Sequence, residues 1–121
     1  MKIAVSSTGD NLESDVDMRF GRCKYFMIVE SDSMEFNAVS NESIMASGGA
    51  GIKAAESIVN QDVEIVLTGN IGPNAHSTLK AAGIKVFTGA NGTVKQAVEQ
   101  YKKGELKETG AASVGSHFGM K

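Results

Sequence analysis

The sequence is poor in the residues that build cross-links and metal cages. Cys23 is its only cysteine. One chain therefore forms no internal disulfide, and it cannot assemble a cysteine-based zinc or iron–sulfur cage by itself. Tryptophan is absent, and aromatics amount to five Phe and two Tyr. No apolar run approaches the roughly 18 residues of a membrane-spanning helix. Charge of one sign is also lacking. The net charge is −2 and the pI about 5.6, so no global field draws the chain to nucleic acid or to an acidic membrane surface. Met1-Lys2-Ile3-Ala4-Val5 enters a strand pattern at once, without the long apolar core and cleavage site of a signal peptide. A cytoplasmic location is the expectation.

What is there suits one domain of ordinary size: 121 residues, 41% of them apolar. Lys2 to Ser6 reads as a buried strand. A long connection follows, from Ser7 to Cys23. Its first half is acidic, with Asp10, Glu13, Asp15 and Asp17; its second half carries Arg19 and Arg22 around Phe20-Gly21. Loops this long in compact domains are more often functional than decorative. Tyr25 to Glu30 and Glu35 to Ser40 read as strands. The short polar break between them, Ser31-Asp32-Ser33, implies a hairpin.

Ser47-Gly48-Gly49-Ala50-Gly51 then leads into Ile52 to Asn60, read as a helix with Ile52, Ala55 and Val59 on its apolar face. Glycines where a chain turns into a helix leave bare N–H groups at the positive end of the helix dipole, which suits an anion. A plain structural turn is the competing reading of that stretch. Val63 to Thr68 reads as the fourth strand. Gly69 to Asn74 follows, with the single proline, Pro73, placed where a helix should begin. Ala75, Leu79 and Ala82 give this helix its stripe, and Gly83 stops it. Ile84 to Phe87 is the fifth strand. Thr93 to Gln96 fits a capping box, and Val94, Ala97, Val98 and Tyr101 line one face of a third helix. Periodicity fails after Lys103.

The order β-β-β-α-β-α-β-α argues an α/β fold with a mixed five-stranded sheet. The first, fourth and fifth strands are expected to be parallel and joined by right-handed crossovers, with the second strand antiparallel. Four loops then converge beyond the carboxyl ends of the parallel strands, where open α/β sheets bind ligands. They are the Ser7–Cys23 loop, the glycine stretch, Gly69–Asn74 and Gly89–Gly92.

Arg19-Phe20-Gly21-Arg22 followed by Tyr25-Phe26-Met27-Ile28-Val29, then Ser47-Gly48-Gly49-Ala50-Gly51-Ile52, then Gly72-Pro73-Asn74-Ala75, resembles the dinitrogenase iron–molybdenum cofactor biosynthesis family. The likeness runs over about residues 2 to 106. It implies a ribonuclease H-like three-layer fold with strand order 3-2-1-4-5 and three helices, without nuclease activity. The domain is expected over 1–106, and the stretch over 107–121, where periodicity has failed and the sequence turns small, polar and glycine-rich, is expected to be a flexible tail. Members of the family are small cytoplasmic proteins that hold or carry metal–sulfur cofactors or their precursors. The stand-alone orange proteins are associated with a molybdenum–copper sulfide cluster held without covalent protein bonds. Two departures stand out. Many relatives carry histidine just before the glycine pair, where this chain has Ser47, and Cys23 stands where alanine is common.

The function this implies is non-catalytic: a binding or carrier protein for an anionic molybdenum- or iron-containing metal–sulfur cluster, serving nitrogen fixation or cofactor biosynthesis. Backbone N–H groups and arginines would hold the charge, and apolar side chains the sulfur faces. The residues expected to do so are Arg19, Phe20, Gly21, Arg22, Ser47, Gly48, Gly49, Ala50, Gly51, Asn70, Ile71, Gly72, Pro73 and Asn74. Cys23 and His76 are candidate metal ligands, set against a buried inert thiol and an exposed ring. Met18 and Met45 could offer thioether contacts, and His117 is a further candidate in the tail. The arginines could instead be a surface pair balancing Asp15 and Asp17. Expected partners are the cluster and cofactor-assembly proteins, with no nucleic acid and no membrane, the chain being a monomer or weak dimer. The alternatives are a regulatory or scaffold domain binding a protein through the same edge, and a ribonuclease H-like nuclease. The latter is disfavoured because the strand Lys2–Ser6 carries no acid for a two-metal site. Phosphate transfer is disfavoured too, since no Lys-Ser/Thr pair follows the glycines.

Overall fold

A computed structural model describes residues 1–42 and 48–110. Its elements are β1 (Lys2–Ser7), β2 (Tyr25–Glu30), β3 (Phe36–Ser40), α1 (Ala50–Val59), β4 (Ile65–Leu67), α2 (Pro73–Ala81), β5 (Lys85–Phe87) and α3 (Val94–Lys102). The strands form one sheet in the order β3-β2-β1-β4-β5. β1 runs antiparallel to β2 and parallel to β4, and β4 runs parallel to β5. This is the expected α/β arrangement, with its strand order and its three helices.

The period-2 alternation of the strands divides the core into two layers. Ala4, Phe26, Ile28, Val66 and Val86 face one side and pack against Ala54, Ala55 and Ile58 of α1 and Ala75 and Leu79 of α2. Ile3, Val5, Met27, Val29, Ile65 and Leu67 face the other and meet Val94, Ala97 and Val98 of α3. Both faces of β1, β2 and β4 are covered, so these strands read as continuous apolar runs rather than as alternation.

The helix stripes differ from the expected ones in two places. In α1 the buried residues are Ala50, Ala54, Ala55 and Ile58, while Ile52 and Val59 are half-buried. The helix begins at Ala50, two residues earlier than expected, so its face is built from alanines that let it lie close to the sheet. In α2 the buried residues are Ala75, His76 and Leu79; Ala82 is the exposed C-cap. The α3 stripe is as expected at Val94, Ala97 and Val98, with Tyr101 half-buried against Phe87.

Register brings Ser7 opposite Tyr25, Tyr25 opposite Ser40, and the ends of β1, β4 and β5 to one edge. The long loop after β1 is strapped across that edge. Val16 N–H donates to Gly92 O, Asp17 N–H to Ser6 O, and Asn70 N–H to Met18 O. Beyond α3 the chain returns to β5. Glu108 bridges Phe87, and Thr109 N–H donates to Val86 O at 2.7 Å. Part of the stretch expected as tail is thus hydrogen-bonded to the sheet, and the remainder, 111–121, lies outside the described residues.

Candidate functional site

Three of the four edge loops meet in space. Arg19 and Asn70 form an isolated parallel bridge, in which Phe20 N–H donates to Asn70 O at 3.3 Å and Asn70 N–H to Met18 O at 2.8 Å. The residue-17-to-23 loop is thereby joined to the start of α2. Gly21 joins it to the start of α1. A Cβ on Gly21 would lie 3.0 Å from the Gly51 backbone, tighter than most real Cβ contacts, so a larger residue there would push the two loops apart. A Cβ on Gly51 would lie 3.4 Å from that of Ala75, which brings α1 and α2 together at their N-termini. The fourth loop continues the row: Gly89 N–H donates to Gly69 O, and Ala90 N–H to Thr68 O.

Beneath the loops, Ser6 and Thr68 share a buried hydroxyl hydrogen bond at 2.7 Å, and Ser6 Oγ also reaches Asp17 O. Asn41, buried, donates through Nδ2 to Gly21 O and Cys23 O. Ser6, Thr68 and Asn41 were not singled out from the sequence. Short polar residues at strand ends look like ordinary turn formers until tertiary contacts bury them. Phe20 is buried, its ring 5.0 Å from that of Phe26. Its expected part in lining the site is therefore as a floor that anchors the loop in the core. Ile71 is likewise buried.

The three helix starts differ in chemistry. α3 is closed by a full capping box: Thr93 Oγ1 accepts from Gln96 N–H, and Gln96 Oε1 accepts from Thr93 N–H. α1 and α2 begin at Gly49 and Gly72, and neither has a side-chain cap hydrogen bond. Gly49 has φ +69°, a left-handed conformation that favours glycine. Among the described residues, Cβ atoms on Gly48 or Gly49 would meet nothing within 4 Å. Each uncapped start leaves first-turn N–H donors at the positive end of a helix dipole. Pro73 at N1 of α2 removes one such donor without leaving a gap in the ladder.

Arg19 stands beside these starts with its side chain 45% exposed. Its Nε lies 3.6 Å from Asp17 Oδ1, which also accepts the Arg19 backbone N–H at 2.9 Å. The ion pair with Asp17 set out as an alternative for the arginines is thus formed at Arg19. Met18 is also exposed, and its Sδ and Cε occupy the space that a Cβ on Gly69 would fill. Arg22 is half-buried. Ser47, Met45 and His117 lie outside the described residues.

The two candidate ligands are placed differently from the rest. Cys23 has no exposed surface, and its thiol donates to Phe20 O at 3.3 Å. Burial, and secondarily the Asp17 carboxylate, push this thiol well above the usual cysteine range. A protonated sulfur inside the core offers nothing to an ion arriving from solvent. His76 is buried in the first turn of α2, with Nε2 2.9 Å from Thr109 O. A carbonyl accepts, so Nε2 carries the proton and is not a free lone pair. Among the described residues no three His, Cys, Asp or Glu side chains stand together as a metal-binding group. What the edge offers is hydrogen-bond donors and a guanidinium, the donor set for an anion.

The likeness to known proteins runs the length of this architecture. The apo form of the orange protein from Desulfovibrio gigas superposes with a TM-score of 0.91 at 37% identity, covering 93% of this chain and 96% of that one. A Thermotoga protein of the DUF35 family, solved by NMR, gives 0.79 at 37% identity, covering 93% and 98%. An uncharacterized protein of Methanocaldococcus jannaschii is 31% identical over 111 residues, 89% of this chain and 91% of its own length. The model of the dinitrogenase iron-molybdenum cofactor family matches residues 1–104. The chain therefore belongs to the dinitrogenase iron-molybdenum cofactor family.

Proposed function

We propose that this protein is a non-catalytic carrier for an anionic metal–sulfur cluster, either a precursor of the iron–molybdenum cofactor or a molybdenum–copper sulfide. One observation carries the reading: two helices without side-chain caps start side by side, next to an exposed arginine. Peptide N–H groups and a guanidinium suit the sulfide or oxide edges of a polyanion, and they act without a covalent bond to metal. Among the described residues nothing stands against Gly48 and Gly49, which supports the approach of a bulky group to the backbone. Gly48, Gly49, Ala50 and Gly51 would hold the cluster from one side, and Asn70, Gly72, Pro73 and Asn74 from the other. Arg19 supplies charge, while Phe20, Gly21 and Ile71 fix the walls. Cofactor-assembly proteins are the expected donors and acceptors of such a cargo. Membership in the family and the likeness to the orange protein support the cofactor-related role.

The test is uptake. Apo protein is mixed anaerobically with tetrathiomolybdate, with and without cuprous ion, and desalted; bound metal and visible absorbance are then measured. Retention of about one cluster per chain is expected, with a clear loss in Arg19→Gln. A colourless protein that also takes up no iron–molybdenum cofactor precursor overturns the reading.

A further inference from the structure

Arg19 is an exposed cation at the edge, and it is already partly neutralised. Asp17 makes two contacts with it through one oxygen: Oδ1 accepts the Arg19 backbone N–H at 2.9 Å and lies 3.6 Å from Nε. Asp17 is itself held firmly. Its N–H donates to Ser6 O and its carbonyl accepts from Ser6 Oγ at 2.7 Å, so the carboxylate is fixed to the end of β1. Its side chain is 13% exposed against 45% for Arg19. A nearly buried carboxylate thus stands at the foot of an accessible guanidinium.

We propose that Asp17 is a specificity-determining residue: a built-in counterion that occupies Arg19 until an anion of higher charge displaces it. The inference rests on the carrier reading above and adds a charge threshold to it. A weakly charged anion gains little at a guanidinium that already has a partner. A dianion or polyanion outcompetes a single carboxylate, because Coulomb attraction scales with charge. The chain thereby discriminates against small monoanions without a tight steric fit.

The geometry supplies a clean variant. Asp17→Asn keeps an Oδ1 to accept the Arg19 N–H, and removes only the charge. Tetrathiomolybdate, a dianion, and nitrate, a monoanion, are titrated into the wild-type protein, Asp17→Asn, Arg19→Gln and the double variant, at one low ionic strength. Asp17→Asn is expected to bind tetrathiomolybdate about three- to tenfold more tightly, and to gain measurable nitrate binding. In the Arg19→Gln background the gain from Asp17→Asn should shrink, because the carboxylate acts through Arg19. An equal gain in both backgrounds would make Asp17 a merely repulsive charge and overturn the proposal. Unchanged or weaker binding by a folded Asp17→Asn, its circular dichroism matching wild type, overturns it as well while leaving the carrier reading intact. A wild-type protein that takes up neither thiomolybdate nor an iron–molybdenum cofactor precursor removes both.

Discussion

A lone cysteine in a chain linked to metal–sulfur chemistry invites assignment as a ligand. Its surroundings decide otherwise. Cys23 sits in the α1–α2 layer of the core beside Phe20 and Phe26, donating its S–H to a carbonyl. Reactivity belongs to exposed thiolates, and this sulfur is neither exposed nor ionised. The folded protein should resist iodoacetamide at pH 8 and react promptly in denaturant, which mass spectrometry reads directly. Cys23→Ala should cost about 1 kcal/mol of stability by chemical denaturation and retain thiomolybdate uptake. Loss of uptake in a folded Cys23→Ala would restore the thiol as a ligand. At this scale the sequence was legible where chemistry depends on backbone. Gly21 and Gly49 announce a close approach and a left-handed turn by being glycine. It was opaque where chemistry depends on distant partners. Nothing near His76 in sequence shows that Thr109 will cover it, and nothing near Asn41 shows that Gly21 and Cys23 will lean on it.

Among the elements, the contrast between α3 and its two fellow helices is the informative one. The Thr93–Gln96 box was readable because both partners lie within four residues. α1 and α2 forgo this local gain. A cap of this kind is worth about 1 kcal/mol, so leaving two starts open is a cost that the proposed anion would offset. Gly72 has an extended backbone (φ −83°, ψ 171°) that an N-cap aspartate also adopts. Gly72→Asp should therefore raise the melting temperature or leave it unchanged, while suppressing thiomolybdate uptake at least tenfold, since it puts a carboxylate where the anion would lie. Calorimetry and metal analysis on the same sample check the two halves together. Strong uptake by this variant would remove the start of α2 from the site. The apolar run of β2 marked that strand from Tyr25 to Glu30 without error. The α1 stripe was right at Ala55 and misplaced at Ile52 and Val59, because Ala50 and Ala54 give a weak hydrophobic signal beside them although close packing favours the smaller residues.

For the molecule as a whole, the sheet is closed differently at its two ends. The β5 end is extended by residues 108–109, where Thr109 also shares a 2.6 Å hydroxyl contact with Thr88 and receives the His76 ring. Ending the chain after Leu106 would strip these partners from β5 and leave a buried imidazole N–H unsatisfied. Such a truncation should be less stable than one ending after Gly110 by about 1–3 kcal/mol, measured by urea denaturation. Equal stabilities would show that the stretch contributes nothing to the fold. The topology was legible because strand number, hairpin length and helix alternation leave few right-handed solutions. This return of the chain to β5 was not, because Glu108 and Thr109 carry no strand-like periodicity of their own.

The contact between Gly21 and Gly51 and the bridge between Arg19 and Asn70 also bear on time. Each wall of the edge comes from a different stretch of chain, and the last of them opens α2. During synthesis the β1–β2–β3 meander can form early from neighbouring residues, but the edge has no complete shape until Asn70 and the helix behind it have been made. Non-local contacts of this sort form late and slowly. Under the carrier reading, a nascent chain therefore could not capture a reactive cluster halfway through its own folding, and cargo would be accepted only by a finished molecule.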